Sequence, residues 1–492
     1  MLCNSKFFVA CLVLVNLNTS YETADRRSGG AVERLQEIRQ IVEKELVKSH
    51  TPGASVAVVR YGKIVVAEGY GFANVELHVP ATADTVYGLL SVSKQFTSAA
   101  VLLLEREGKL RLDEPIGTYL PGSPEAWKAV TVRHLLNHTS GIPDYTDVHP
   151  FFEEIALGRT PDELLKPVRE APLMFSPGSK WRYSNSNYYL LGQIVERLGG
   201  KPWSEFLKER IFRPAGMGAT RDNVPTDVVP NRSAGYHWLD ENAARLPAFV
   251  TGYHGRVNVL QNAIYIHPSK MWAAGSLLST VRDLAKWQIA LDKGQILPHE
   301  TVAAMEKAAS LRDGTFAPYG IGNELMTVGK HRVAGHQGGG MAFNSTVLRF
   351  PDDHLSVIVL ANQTSAPSRT LAMRIAALYL PDLDPMRVVP PRDPDPARTG
   401  RLRQFLVDAA LGHPDESMFA PQAADLVAFV KRSAPQFLGE LGKLKSFKFL
   451  SSESTNQRTV VSYRSVYEKK TILWRFTMTK DDHISNIEPV EQ

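Results

Sequence analysis

Ala54-Ser55-Val56-Ala57-Val58-Val59-Arg60-Tyr61-Gly62-Lys63-Ile64-Val65-Val66-Ala67 reads as a β-hairpin. Two short runs rich in β-branched residues, Ala54 to Val59 and Ile64 to Ala67, flank the turn signal Tyr61-Gly62. Before it, Leu35, Ile38, Ile41, Val42 and Leu46 recur at the spacing of one helix face, marking an amphipathic helix from Val32. Far downstream, Ser345 to Phe350 and Leu355 to Ala361 flank Pro351-Asp352-Asp353 as a second hairpin, and a helix follows at Leu371 to Leu380. The long stretch between the hairpins is largely helical, broken by loops rich in Gly and Pro. Strands at both ends with helices between predict an α+β domain whose sheet is assembled from distant parts of the chain.

The remainder of the 492 residues frames this region. With 43% hydrophobic and 22% charged residues, the chain can bury at least one large core, which excludes a disordered, collagen-like or disulfide-scaffold protein. Lys and Arg number 56 against 51 Asp and Glu, scattered along the chain, so the charged stripe of a nucleic-acid binder is missing. Lys6, the apolar run Phe7 to Val15 and the polar Asn16, Asn18, Thr19 and Ser20 read as a signal peptide, assigned to residues 1–24. That run falls short of the roughly 20 apolar residues of a membrane span, so the expectation is a secreted or periplasmic protein with no stable span after cleavage. Both cysteines, Cys3 and Cys11, lie in this leader.

Beyond the domain assigned to residues 31–380, Pro381, Pro385, Pro390, Pro391, Pro394 and Pro396 make residues 381–400 a linker. Helices at Leu402 to Leu411 and Ala423 to Lys431, then strands at Phe447 to Leu450, Thr459 to Val466 and Thr471 to Thr479, make residues 401–492 a small α+β domain. This tail faintly resembles a cone-shaped NTF2-like domain, with Phe437, Phe447, Tyr463, Trp474 and Phe476 as core. Its partner is not legible.

Three motifs in the larger domain carry chemistry. Ser91-Val92-Ser93-Lys94 opens a helix continuing through Val101, Leu102 and Leu104, so Ser91 and Lys94 share a face one turn apart. A serine hydroxyl becomes a nucleophile when a neighbour takes its proton, and lysine can do so only when neutral, which burial and the positive helix end favour. The same four residues also fit a capping serine and a surface lysine. Tyr183-Ser184-Asn185 precedes a helix at Tyr188 to Leu198 closed by Gly199-Gly200; the tyrosine can shuttle a proton and the amide can bind a substrate amide, although the stretch also suits an N-cap. His336-Gln337-Gly338-Gly339-Gly340 lies just before the second hairpin, where a glycine run lets an extended substrate approach, or forms a simple turn. No helix follows these glycines, so they do not form a phosphate loop.

Taken in order, Ser-x-x-Lys, Tyr-x-Asn and His-x-Gly resemble the serine β-lactamase and penicillin-binding protein superfamily, the class C branch most closely. Val132-Arg133-His134-Leu135-Leu136-Asn137-His138-Thr139-Ser140-Gly141-Ile142 and Ala274-Gly275-Ser276-Leu277-Leu278-Ser279-Thr280-Val281-Arg282-Asp283-Leu284 agree in wording. The resemblance spans Val32 to Leu380. It implies a β-lactamase/transpeptidase-like fold, an antiparallel sheet flanked by helices plus a mostly helical subdomain. It also implies a serine hydrolase of small-molecule or peptide substrates that needs no cofactor. Ser91 is then the nucleophile, Lys94 its proton acceptor and Tyr183 the relay to the leaving group, with a phenolate favoured by cationic Lys94. Asn185 orients the substrate amide, His336 and Gly338 line the strand edge, and the N–H groups of Ser91 and Gly339 form the oxyanion hole.

One departure bears on substrate. Where class C enzymes and most D,D-peptidases carry a lysine, this chain has His336, only about a quarter protonated at pH 7 when unperturbed. The resemblance therefore implies an ester or amide hydrolase, of esterase, D-aminopeptidase or D,D-carboxypeptidase type, rather than an efficient β-lactamase. A non-catalytic peptide- or wall-binding member of the same fold is the alternative. His134 and His138 stand at i, i+4, but no glutamate follows His134 and no third ligand is evident, so they read as packing and hydrogen-bonding groups, with no metal site.

Overall fold

The computed structural model describes residues 15–148, 151, 154–240, 257–340, 342–384, 390–421, 423–454 and 458–490. The chain divides into two compact units, Met1–Ala376 and Ala377–Gln492. The assigned leader lies largely outside the described residues, and a helix α1 (Val15–Lys48) leads into the first unit.

The expected first hairpin is β1 (Gly53–Arg60) and β2 (Lys63–Asn74). A short β3 (Val79–Pro80) follows, then α2 (Lys94–Arg106), α3 (Asn185–Gly199) and α4 (Val281–Asp292). The chain then returns through β4 (Glu324–Val328), β5 (His331–Gly339), β6 (Asn344–Phe350) and β7 (Leu355–Ala361) before α5 (Ser368–Ala377). The sheet order is β3-β2-β1-β7-β6-β5-β4. β1 pairs antiparallel with β7, from Ala54 opposite Ala361 to Arg60 opposite Leu355, so the two hairpins meet edge to edge and the sheet joins distant parts of the chain.

Burial explains why these strands are central. Every residue of β7 and all but the last of β1 is buried, as expected for strands covered on both faces and read as unbroken apolar runs. α4 packs across β1 and β7, and Trp287 on α4 shares the core with Phe96, Val59, Ile358 and Leu360. α2 is buried from Lys94 to Leu104 and packs against α3, so its first turn sits inside the domain. α3 stops at Gly200, whose φ of 68° gives the left-handed cap that the Gly199-Gly200 pair promised.

β4 and β5 were not read from the sequence. Gly338 and Gly339 form the end of β5 rather than a flexible turn, and neighbouring backbone leaves no room for a side chain at Gly335 and Gly338. A Cβ on Gly335 would lie 2.0 Å from the Val347 carbonyl oxygen. α3 also begins at Asn185, three residues before the expected start.

In the second unit, α6 (Pro396–Ala410) starts inside the expected linker, with Pro396 in the first turn, where its missing N–H is harmless, and Asp395 capping the Arg398 amide. α7 (Ala424–Leu441) continues past Lys431. β8 (Leu444–Ser454), β9 (Arg458–Tyr467), β10 (Thr471–Thr479) and β11 (Ile484–Val490) form a four-stranded antiparallel meander; the last strand was not expected. Phe447, Tyr463, Trp474 and Phe476 form its core with Phe437 packed alongside, as the alternation predicts. No helix among the described residues is long and apolar enough to cross a membrane.

Candidate active site

Ser91 lies on a single 3-10 turn, Leu90–Ser93, that feeds into α2. The preceding Leu90 has φ of 49°, a left-handed conformation unfavourable for a leucine. The turn is pinned on both sides to hold it there. The Leu89 amide donates to the Leu277 carbonyl at 2.8 Å, and the Leu89 carbonyl accepts from Ser345 Oγ on β6 at 2.6 Å. A Cβ on Gly338 would lie 2.2 Å from that same carbonyl oxygen, so β5 rests directly on the nucleophile turn.

Lys94 is fully buried. Its Nζ donates to Asn185 Oδ1 at 2.9 Å and to the Ala274 carbonyl at 2.8 Å, and lies 3.1 Å from Ser91 Oγ. The first two partners can only accept. A neutral amine has two hydrogens, so meeting both of them turns its lone pair toward the Ser91 hydroxyl. Burial pushes Lys94 down to about 7, although the carboxylates of Asp144 and Glu324 pull the other way. A substantial neutral fraction is therefore present at neutral pH.

The Asn185 amide is oriented from below. Buried Asp144 accepts on one oxygen both the Asn185 backbone N–H, at 2.8 Å, and Nδ2–H, at 2.9 Å, which leaves Oδ1 facing Lys94. Asp144 lies two residues beyond the Val132 to Ile142 run, and Ala274 opens the other quoted run.

Tyr183 donates its hydroxyl to Ser91 Oγ at 2.9 Å. Burial drives the phenol well above its ordinary value, opposed by the Ser91 hydrogen bond. The expected phenolate is thus not the resting form. Lys94 Nζ sits 4.9 Å from the centre of the Tyr183 ring, so its charge meets the π face as well as the serine. Against the ring, His138 packs in a tilted arrangement with centroids 4.3 Å apart, and its Nδ1 faces the Ser184 amide and Asn187 Nδ2, both at 3.2 Å. His134 instead closes a capping box with Thr131, and the described residues hold no cluster of three or more metal-ligating side chains.

His336 is buried, with its Nδ1 2.7 Å from the Gln337 carbonyl and its Nε2 2.8 Å from the Tyr319 hydroxyl. A carbonyl only accepts, so Nδ1 carries the proton and Nε2 accepts from Tyr319. Burial lowers His336 to about 4, so the ring is neutral at pH 7, further from a cationic anchor than the unperturbed quarter charge. Tyr319 was missed; its only sequence signal is an aromatic residue heading Gly320-Ile321-Gly322. Along β5, pairing with β4 ends at Gly335 opposite Glu324, while Gly338 and Gly339 pair with Ser345 and Asn344 on the other side. An extended substrate can add to that free edge.

Residues 38–380 match the Beta-lactamase family. The chain belongs to the beta-lactamase family. It is 26% identical over 428 residues to a penicillin-binding protein of Bacillus subtilis, covering 84% of this chain and 90% of that protein. It is 29% identical over 344 residues to a D-aminopeptidase of Brucella canis, covering 68% of this chain and 61% of the relative's length. A D-amino acid amidase of Ochrobactrum anthropi, solved with L-phenylalanine amide, superposes with a TM-score of 0.62 at 26% identity, covering 71% of this chain and 99% of that one.

In this beta-lactamase family member, strand β5 and the nucleophile turn are fitted to one another, and a single methyl tests the fit. Gly338→Ala is expected to lose about 1–3 kcal/mol of stability, since its Cβ would meet backbone at 2.2 Å, and to lower turnover by displacing Ser91. Gly339→Ala, with its nearest atom 3.8 Å away, keeps the parent's stability. Thermal melts of both variants check this, and equal melting temperatures would refute it.

Proposed function

We propose that this chain is a serine hydrolase that cleaves an ester or amide bond through an acyl-enzyme on Ser91. The observation that carries this reading is the sharing of one oxygen: Ser91 Oγ lies within reach of a buried amine held near neutrality and of a protonated phenol. Lys94 takes the Ser91 proton as Oγ attacks the substrate carbonyl. The N–H groups of Ser91 and Gly339 receive the oxyanion. As the intermediate collapses, Tyr183 passes its proton to the leaving group and recovers one from the Lys94 ammonium. Water then attacks the acyl-enzyme, giving its proton to the same pair, and Ser91 leaves as the hydroxyl. Asn185 orients the substrate amide, and His336 with Gly338 shapes the strand edge where the substrate lies.

Neutral His336 supplies no charge for a substrate carboxylate, which favours simple esters and amides over β-lactams. The relatives named D-aminopeptidase and D-amino acid amidase support amides and short peptides of D-amino acids as the amide class. The basic and apolar opening of the chain supports export to a secreted or periplasmic location.

Intact mass after exposure to a fluorophosphonate tests the reading. The parent is expected to gain one adduct and Ser91→Ala none. A parent that takes no adduct, and hydrolyses none of a panel of activated esters, cephalosporins and D-amino-acid amides, would be a binding protein of this fold.

A further inference from the structure

We propose that the acyl half of the substrate carries an apolar group, received in a cavity of about 270 Å³ whose wall includes Leu90, the residue before Ser91. This rests on the serine-hydrolase reading above and adds the substrate's chemistry to it.

The cavity wall is built partly from chain neighbours of the catalytic groups. Leu90 lines it and precedes Ser91; Gly275 lines it and follows Ala274, whose carbonyl holds Lys94; Ala342 and Phe343 line it shortly after the Gly338-Gly339 edge. The catalytic side chains themselves, Ser91, Lys94, Tyr183, Asn185 and His336, do not line it, and of their segments those of Ser91 and of the β5 edge reach its wall while that of Tyr183 and Asn185 does not. The leaving group must sit where the Tyr183 hydroxyl can protonate it, and no residue of the segment that carries Tyr183 lines the cavity, so we assign to it the other half of the scissile bond, the acyl half.

Its wall sets the class of that group. Leu90, Ile264, Ile266, Met271, Leu278 and Phe343 supply apolar surface. The serine hydroxyls on the wall are already engaged, Ser276 with Asp222 and Ser233 with the Ala73 carbonyl at 3.0 Å. Among the described residues Arg232 is the only charged side chain lining it, and it donates to Asn223 at 3.0 Å. A cationic substituent would lose its hydration and meet a like charge, whereas an alkyl or aryl group exchanges water for hydrocarbon. The volume suits one side chain or a short acyl chain, below the roughly 300–1,000 Å³ of drug-sized sites.

p-Nitrophenyl esters test this, because their leaving group stays constant while the acyl chain changes. From acetyl through butyryl to hexanoyl, kcat/KM is expected to rise about fourfold per methylene until the cavity is full. 6-Aminohexanoyl, which adds a terminal ammonium to the hexanoyl chain, falls back below hexanoyl. Gly275→Val, whose Cβ would press on the flexible end of Met271 at 2.9 Å, and Ile264→Trp each narrow the cavity from a different wall. Both are expected to lower the hexanoyl-to-acetyl ratio about tenfold or more. Turnover with a flat profile, or with the ratio unchanged in both variants, overturns the pocket and leaves the hydrolase reading standing. No turnover on any ester, with Ser91 unlabelled by fluorophosphonate, overturns that reading and the pocket with it.

Discussion

Lys94→Met is expected to lower kcat/KM by about 10⁴-fold or more, as much as Ser91→Ala, with the double variant no worse than either single one. The amine and the hydroxyl form one unit: without a neutral Nζ 3.1 Å away, the Ser91 proton has no acceptor as the bond to the substrate forms. In the parent, kcat/KM rises with pH through about 7, where Lys94 loses its proton, and then levels. The same group marks stability. Its pKa is lower in the folded chain than the roughly 10.4 of an unfolded lysine, so between about 7 and 10.4 the unfolded state binds more protons and stability rises with pH. The burial penalty is fully present below about 7 and gone above about 10.4. Lys94→Met lacks it, and also leaves Asn185 Oδ1 and the Ala274 carbonyl without their donor at every pH. The signature is therefore a change in the melting-temperature difference between variant and parent across that window, moving in the parent's favour as pH rises. A pH-independent difference, or an active variant, would remove Lys94 from the base role.

The fold was legible wherever apolar periodicity defines it. β1, β6 and β7 are buried strands and β2 is a partly exposed one; their β-branched runs stand out between turn residues, and both hairpins lie where those runs place them. β5 was hidden because close packing on Val347 and Leu89 imposes glycine, the residue that reads as a turn, at Gly335 and Gly338. β4, Glu-Leu-Met-Thr-Val, is only partly buried and alternates weakly. The second unit's β11 was obscured in the same way, being largely exposed beyond Ile484.

In the site, Ser91, Lys94, Tyr183 and Asn185 were visible because each belongs to a spaced motif, and the structure joins them in one hydrogen-bonded chain, Tyr183 to Ser91 to Lys94 to Asn185. Their supports were not visible. Asp144, Ala274, Tyr319 and Glu324 act through a carboxylate, a backbone carbonyl, a phenol and a charge contributed from separate segments, and no local pattern records such a convergence. The protonation states were hidden for the same reason. His336 and Tyr183 are displaced from their ordinary values mainly by burial, a property of the folded surroundings rather than of residue type.

Tyr183→Phe separates the two halves of the reaction. The substitution keeps the ring against His138 and Lys94 and removes only the hydroxyl that lies 2.9 Å from Ser91 Oγ. An amine leaves a tetrahedral intermediate only once its nitrogen is protonated, so amide hydrolysis needs that O–H in the step that breaks the bond. p-Nitrophenolate departs as the anion and needs no proton. The expected loss in kcat/KM is about 10²- to 10⁴-fold on a D-amino-acid amide, and about tenfold or less on the corresponding p-nitrophenyl ester. Measuring both substrates on the same preparation cancels any effect on folding or active-site content. Equal losses would mean that the phenol only orients Ser91. Because burial holds the phenol protonated, the amide rate of the parent keeps its proton donor well into the alkaline range, and the acid limb set by Lys94 is expected to dominate its pH profile near neutrality.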